Sequence, residues 1–159
     1  MTVKIRQWVE LKETVLVAKK NGKTVGFTNG CFDLLHVGHV QYLQAAKKEC
    51  DILVIGVNSN DSVRRLKGEN RPVNDELARM KVLAALECVD LLTLFNEDTP
   101  FELIKSLTPN ILFKGGDWTE DSVVGAQYVK DNGGKVNIIP FVDGFSTTAT
   151  IEKMKDAGR

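Results

Sequence analysis

The apolar positions follow two alternating rhythms: stretches with helical spacing, and short runs that are apolar almost throughout. From about Gln7 to Lys20, Trp8, Leu11, Val15 and Ala18 recur at helical spacing and Asn21-Gly22 supplies a stop, which predicts an N-terminal helix covering the sheet. Thr24–Thr28 reads as the first strand. His39–Cys50 places Val40, Leu43, Ala45 and Ala46 on one side of a second helix. Asp51–Asn58 is apolar nearly throughout, as a strand covered on both faces should be, and leaves through the polar Asn58-Ser59-Asn60-Asp61. The charged Arg64–Pro72 stretch, with Gly68 and Pro72, reads as a mobile loop. Asn74 is a candidate cap for a helix running to about Cys88, with Leu77, Met80, Val82, Leu83 and Leu86 directed to the core.

Asp90–Phe95 is a third strand, and Thr99-Pro100 opens a helix with Thr as cap and Pro in the first position. Ile111–Lys114 is the fourth strand, Ser122–Lys130 a helix stopped by Asn132-Gly133-Gly134, and Val136–Ile139 the fifth strand. A short terminal helix follows around Ile151 and Met154. This alternation predicts an α/β fold: one Rossmann-like domain over residues 1–159, a five-stranded parallel sheet with helices on both faces. Ligands of such sheets sit at the carboxyl ends of the strands, where the unusual residues of this chain collect.

Size and charge narrow the function. The chain has 159 residues, 43% of them apolar, enough for a substantial core. Its 21 basic and 21 acidic residues cancel, so no overall field draws in nucleic acid or an anionic membrane, and any phosphate site must be local. Cys31, Cys50 and Cys88 are odd in number without Cys-x-x-Cys spacing, which disfavours a disulfide framework and fits a reducing compartment. With neither a membrane-spanning apolar run nor a signal-peptide pattern, a cytoplasmic protein is expected.

The chemistry concentrates in Thr28-Asn29-Gly30-Cys31-Phe32-Asp33-Leu34-Leu35-His36-Val37-Gly38-His39, which holds both histidines of the protein. Three apart at a helix start, His36 and His39 face the same way and can donate to phosphoryl oxygens where the helix dipole already favours anions. Capping or half-buried structural roles are the competing reading. A zinc site from Cys31, His36 and His39 is disfavoured because no further ligand pair has metal spacing. Ser146-Thr147-Thr148, after Gly144, would hold an anion or act as an ordinary N-cap. Lys67 belongs either to a solvated charge run or to a closing loop that brings a cation onto a polyphosphate. Gly115-Gly116 permits close backbone approach, with Asp117 able to accept from a ribose or base, against a plain turn. Cys31 has no base beside it and reads as packing.

The pairing of His-Val-Gly-His with Phe-Ser-Thr-Thr resembles the double signature of the cytidylyltransferase-like nucleotidylyltransferases. The strings N-S-N-D-S-V-R-R-L-K-G, R-P-V-N, E-D-T-P, K-G-G-D-W and D-G-F-S-T-T extend the likeness over nearly the whole chain. They narrow it to the branch of adenylyltransferases that activate D-glycero-D-manno-heptose 1-phosphate. Enzymes of that branch are often fused to a sugar kinase, and here the domain is expected to stand alone. The resemblance implies attack of a sugar 1-phosphate on the α-phosphorus of ATP, giving ADP-heptose and pyrophosphate with Mg2+ assisting. That product would feed lipopolysaccharide synthesis.

Carried onto this sequence, the resemblance gives His36 and His39 the transition-state charge and Lys67 the neutralising cation. It makes Arg79 a phosphate contact, and gives Ser146, Thr147 and Thr148 the triphosphate. Gly116 and Asp117 would stand on the nucleoside side. Thr28, Asn29, Gly30, Cys31, Phe32 and Gly38 would form the nucleotide loop, with Asn29, Asp33 and Lys67 also meeting the acceptor. A homodimer or higher homo-oligomer is implied. Related cytidylyltransferases for glycerol phosphate and choline phosphate resemble Arg-Thr-Glu-Gly-Ile-Ser-Thr before the last helix, whereas this chain has Phe at position 141, which favours adenine over cytosine.

Overall fold

The five apolar runs form one parallel sheet. In the computed structural model, which describes residues 3–158, the strands are β1 (Val25–Gly30), β2 (Ile52–Asn58), β3 (Leu91–Phe95), β4 (Ile111–Gly115) and β5 (Lys135–Ile139). Their order is β3-β2-β1-β4-β5. β1 runs beside β2 from Val25 opposite Ile52 to Gly30 opposite Val57, and beside β4 at Gly26 opposite Ile111. The order therefore reverses between β1 and β4, and the crevice at their carboxyl ends is the natural ligand site of such a sheet.

Among the described residues seven α-helices connect and cover the strands: α1 (Trp8–Lys20), α2 (Val37–Lys48), α3 (Asn60–Lys67), α4 (Glu76–Ala84), α5 (Phe101–Leu107), α6 (Ala126–Asp131) and α7 (Thr147–Ala157). Alternation along each strand divides the core into two layers. Val25, Phe27 and Leu112 pack with Leu11 and Val15 of α1 and with Leu103 and Ile104 of α5. Ile111 and Phe113 point the other way, to Leu43 and Ala46 of α2 and Met80 and Leu83 of α4. Six of the seven β2 residues are buried, which explains why that run reads as apolar without alternation.

Several expectations change in detail. Residues 64–67 are not loop: Ser59 caps α3 by accepting from the Ser62 N–H at 3.1 Å, so the polar exit after β2 is a helix start. Val63 and Leu66 are the only apolar residues of that helix, which hid its period. The cap of α4 is Asp75, whose carboxylate accepts from the Ala78 N–H at 2.8 Å, while the Asn74 side chain donates to the Asp33 carbonyl. The helix stops at Ala84, and Leu77 and Val82 lie on its exposed face. Pro100, not Thr99, stands at the N-cap of α5. The predicted helix over 122–130 is interrupted by Gly125 in the left-handed region (φ 85°), leaving a 3-10 turn at Glu120–Ser122 ahead of α6. Met154 is exposed, and no residue of α7 is buried.

One element is absent from the sequence reading. Ile5 bridges Leu92, with Arg6 N–H donating to the Leu92 carbonyl and Leu92 N–H to the Lys4 carbonyl, both at 2.9 Å, so residues 4–6 line the outer edge of β3. The Trp8 indole reinforces this by donating to the Leu94 carbonyl at 2.7 Å.

Candidate active site

A cavity of about 790 Å3 opens at the carboxyl ends of the strands. Its first wall is the turn from β1 into α2. His36 is the N-cap residue of α2, and its ring stacks on that of His39 with centroids 3.8 Å apart and planes 23° apart. Phe32 meets His39 edge-on at 5.3 Å and closes the far side of the pair. Gly38 leaves little room here, since a Cβ on it would lie 3.0 Å from the His36 ring and 3.3 Å from the Phe145 Cβ and would press on the stack.

The hydrogen bonds fix which nitrogen carries the proton. The His36 backbone N–H donates to His39 Nδ1 at 3.3 Å, so neutral His39 bears its proton on Nε2, free to donate. His36 Nδ1 is buried and has no hydrogen-bond partner among the described residues. Burial, and then the neighbouring His36, depress the His39 pKa to about 4; burial also lowers that of His36. In the ligand-free protein both rings are therefore neutral at pH 7. With two histidines in the chain, proton NMR can follow each one: the His39 Cε1–H shift is expected to keep its neutral value down to about pH 5, with a midpoint near 4. A midpoint at or above 6.5 would contradict the buried stack.

The second wall comes from the other end of the chain. Ser146 caps α7 by accepting from the Ala149 N–H at 3.0 Å. The Thr147 hydroxyl donates to the Leu34 carbonyl at 3.0 Å, tying the start of α7 to the β1–α2 turn across 113 residues. Phe145 stacks against His36 at 6.3 Å. The free N–H groups at the start of α7 and the histidine pair thus face one cavity, an arrangement suited to an anion.

Twelve of the residues the sequence singles out line this cavity: Asn29, Gly30, Cys31, Phe32, Asp33, His36, Gly38, His39, Lys67, Ser146, Thr147 and Thr148. Thr28, Arg79, Gly116 and Asp117 do not. Thr28 is buried, with its hydroxyl 2.7 Å from that of Tyr42, whose pKa burial pushes up to about 12. Gly116 is buried at φ 109° against the Phe141 ring, and Asp117 is exposed. Arg79 is 2% exposed. It donates to the carbonyls of Cys31 (2.6 Å), Asn58 (2.8 Å) and Asn74 (3.1 Å) and to Asn60 Oδ1 (3.2 Å), so it clamps three loops from beneath the cavity.

Asp33 departs from its expected role. Its carboxylate, side chain 1% exposed, accepts from Arg71 Nε at 2.7 Å, from Val73 N–H at 2.9 Å and from Asn74 N–H at 3.0 Å. Burial acts to raise its pKa, but the Asn74 and Val73 N–H groups and the Arg71 charge outweigh it and hold the group below the ordinary carboxylate value. The stabilisation is present above the ordinary value and is lost as the pH falls through the depressed one.

Sequence reasoning passed over Arg71 and Lys114, which line the cavity together with Trp118 and with Phe141, the residue read as favouring adenine. Lys114 is the penultimate residue of β4, with its ammonium 5.0 Å from the Trp118 ring centre, and burial, with a smaller push from Lys67, lowers its pKa. Its position just before Gly115-Gly116, at a strand's carboxyl end, was the available signal.

Fold and site together define an α/β protein whose cavity lies at the switch point of a parallel sheet, where two helix starts meet. Residues 27–153 match the family model described as cytidylyltransferase-like, and the chain belongs to that family of nucleotidyltransferases. It is 54% identical over 153 residues to the "Bifunctional protein HldE" of Syntrophotalea carbinolica, covering 96% of this chain and 31% of that protein. Against the protein of the same name from Trichlorobacter lovleyi it is 55% identical over 151 residues, covering 95% and 31%. The chain thus spans about a third of the length of these relatives.

Among solved structures, a lipopolysaccharide core biosynthesis protein from Thermoplasma volcanium superposes with a TM-score of 0.63 at 30% identity, covering 76% of this chain and 98% of that one. Pantoate-beta-alanine ligase from Francisella tularensis shares the fold, with a TM-score of 0.62 at 17% identity, covering 97% and 77%. No helix among the described residues is long and apolar enough to cross a membrane.

Proposed function

We propose that the chain transfers AMP from ATP to D-glycero-D-manno-heptose 1-phosphate, releasing pyrophosphate and giving ADP-heptose for lipopolysaccharide synthesis. The observation that carries this reading is the meeting of the His36–His39 pair with the Ser146–Thr148 turn on one cavity at the switch point of the sheet. The relatives named HldE and the Thermoplasma protein of lipopolysaccharide core biosynthesis support the choice of product.

In this reading a phosphate oxygen of the acceptor attacks the α-phosphorus of ATP. The bond from that phosphorus to the α–β bridging oxygen breaks, and pyrophosphate leaves in line. No proton has to be removed from the acceptor. What remains for the protein is alignment and stabilisation of charge on the phosphoryl oxygens. His39 donates through Nε2–H, and His36 stands beside it. Ser146, Thr147 and Thr148 hold the triphosphate tail at the start of α7, and Lys67 adds positive charge from the end of α3. Among the described residues no group of three or more His, Cys, Asp or Glu side chains converges. Mg2+ accordingly arrives as MgATP, with phosphate oxygens among its ligands. The aromatic faces of Trp118 and Phe141 at the cavity favour a purine by apolar contact.

Pyrophosphate release measured with ATP and CTP against a panel of phosphorylated acceptors tests this directly. ATP with the heptose 1-phosphate is expected to give the highest kcat/KM. A preference for CTP with a polyol or amino-alcohol phosphate would replace the assignment with a cytidylyltransferase. Nucleotide binding without pyrophosphate from any pair would leave a regulatory module.

A further inference from the structure

Three cations line the cavity, Lys67, Arg71 and Lys114, and only Arg71 has a carboxylate partner among the described residues. That partner is itself fixed. The Asp33 carboxylate is held by the backbone N–H groups of Val73 and Asn74, and the Asn74 side chain returns a bond to the Asp33 carbonyl at 3.0 Å. The β1–α2 turn and the 71–74 segment are thereby locked together, and the lock also aims Arg71.

Asp33 engages only Nε of the guanidinium, at 2.7 Å, while the Arg71 side chain stays 16% exposed. The two terminal nitrogens have no hydrogen-bond partner among the described residues. A planar fork of N–H donors held this way matches two oxygens of one phosphate, which a lysine ammonium cannot do.

Position decides which phosphate. Arg71 lies on the connection after β2, whereas the Phe145–Thr148 segment follows β5; β2 and β5 lie on opposite sides of β1. The triphosphate tail is already provided for by the histidine pair and the start of α7. In-line displacement brings the attacking oxygen from the side opposite the departing pyrophosphate. A dianionic acceptor approaching a polyanion also needs positive charge of its own.

We propose that Arg71, aimed by Asp33, anchors the phosphate of the sugar-phosphate acceptor, and that Asp33 is a positioning residue. The inference rests on the nucleotidyl-transfer reading above and adds the place of the second substrate. Two acceptor oxygens lie on the Arg71 fork, and the third is left to attack the α-phosphorus.

Steady-state kinetics with MgATP and D-glycero-D-manno-heptose 1-phosphate supply the test. Arg71→Ala is expected to raise the acceptor KM by roughly 20-fold or more while the ATP KM stays within about twofold. Asp33→Asn is expected to raise the acceptor KM in the same direction and to add little on top of Arg71→Ala, as two groups acting through one contact should. An ATP KM that rises while the acceptor KM does not, or two unchanged values, would overturn the anchor. Should the alanine variant fail to bind MgATP, Arg71→Lys carries the test, because it keeps the charge and loses the fork; an unchanged acceptor KM would again overturn the proposal.

Calorimetric titration of the acceptor into the protein, with and without a non-hydrolysable ATP analogue, separates this inference from the reading beneath it. Acceptor binding lost in Arg71→Ala, with no pyrophosphate from the wild type, would keep the anchor and remove the transfer reaction. No acceptor binding by the wild type under either condition would remove the anchor.

Discussion

His39→Ala is expected to lower kcat by roughly 10²- to 10³-fold, the range found when one preorganised donor is removed from a site of developing charge, while MgATP affinity stays within about threefold. The reason is the fixed geometry of the ring. The His36 N–H occupies Nδ1, the His36 ring covers one face and Phe32 meets the edge, so the Nε2–H direction is set before substrate enters. A donor held in this way need not reorganise as charge develops on the phosphoryl oxygens. Equal losses in kcat and kcat/KM for ATP are the kinetic signature of an interaction made in the transition state alone. Single-turnover measurements separate that loss from slow product release, and a variant with ordinary turnover would take the catalytic role away from this histidine.

Arg79→Ala is expected to act on stability, by about 3 kcal/mol, because it removes a buried charged donor and leaves the carbonyls of Cys31, Asn58 and Asn74 without their partner. For a chain of this size that corresponds to a fall in Tm of roughly 6–12 °C. Differential scanning calorimetry with and without MgATP distinguishes this from the phosphate contact implied by the family likeness. A direct phosphate ligand would leave the apo Tm nearly unchanged and diminish the rise that MgATP produces. A clamp lowers the apo Tm outright.

The parallel sheet and the meeting of its two remote motifs were legible because both depend on strong, local signals. Apolar runs of five to seven residues between helical periods leave few arrangements. A histidine pair and a hydroxyl-rich turn, each placed where a strand or turn gives way to a helix, have one natural location in such a sheet. What was not legible depends on contacts between side chains distant in sequence. Asp33 reads as a free carboxylate in a ligand loop until the 71–74 segment folds over it. Arg79 reads, through the family likeness, as a phosphate contact, and only the folded chain surrounds it with the carbonyls of three loops. Helix α3 was lost for a different reason: its cap and its charges look like a loop when only Val63 and Leu66 supply a period. Residues 4–6 are too short to announce a strand, and their pairing with β3 is decided by the edge they find.

The tie between Thr147 and Leu34 bears on how firmly the proposed anion site stands before substrate arrives. No residue of α7 is buried, so this helix gains little from the core and much of its placement comes from contacts at its first turn. A triphosphate that bonds to that turn and to the histidines at once would bridge the first and last thirds of the polypeptide. Part of its binding free energy then goes into holding the terminal helix in place, and the site reaches its full rigidity only when occupied.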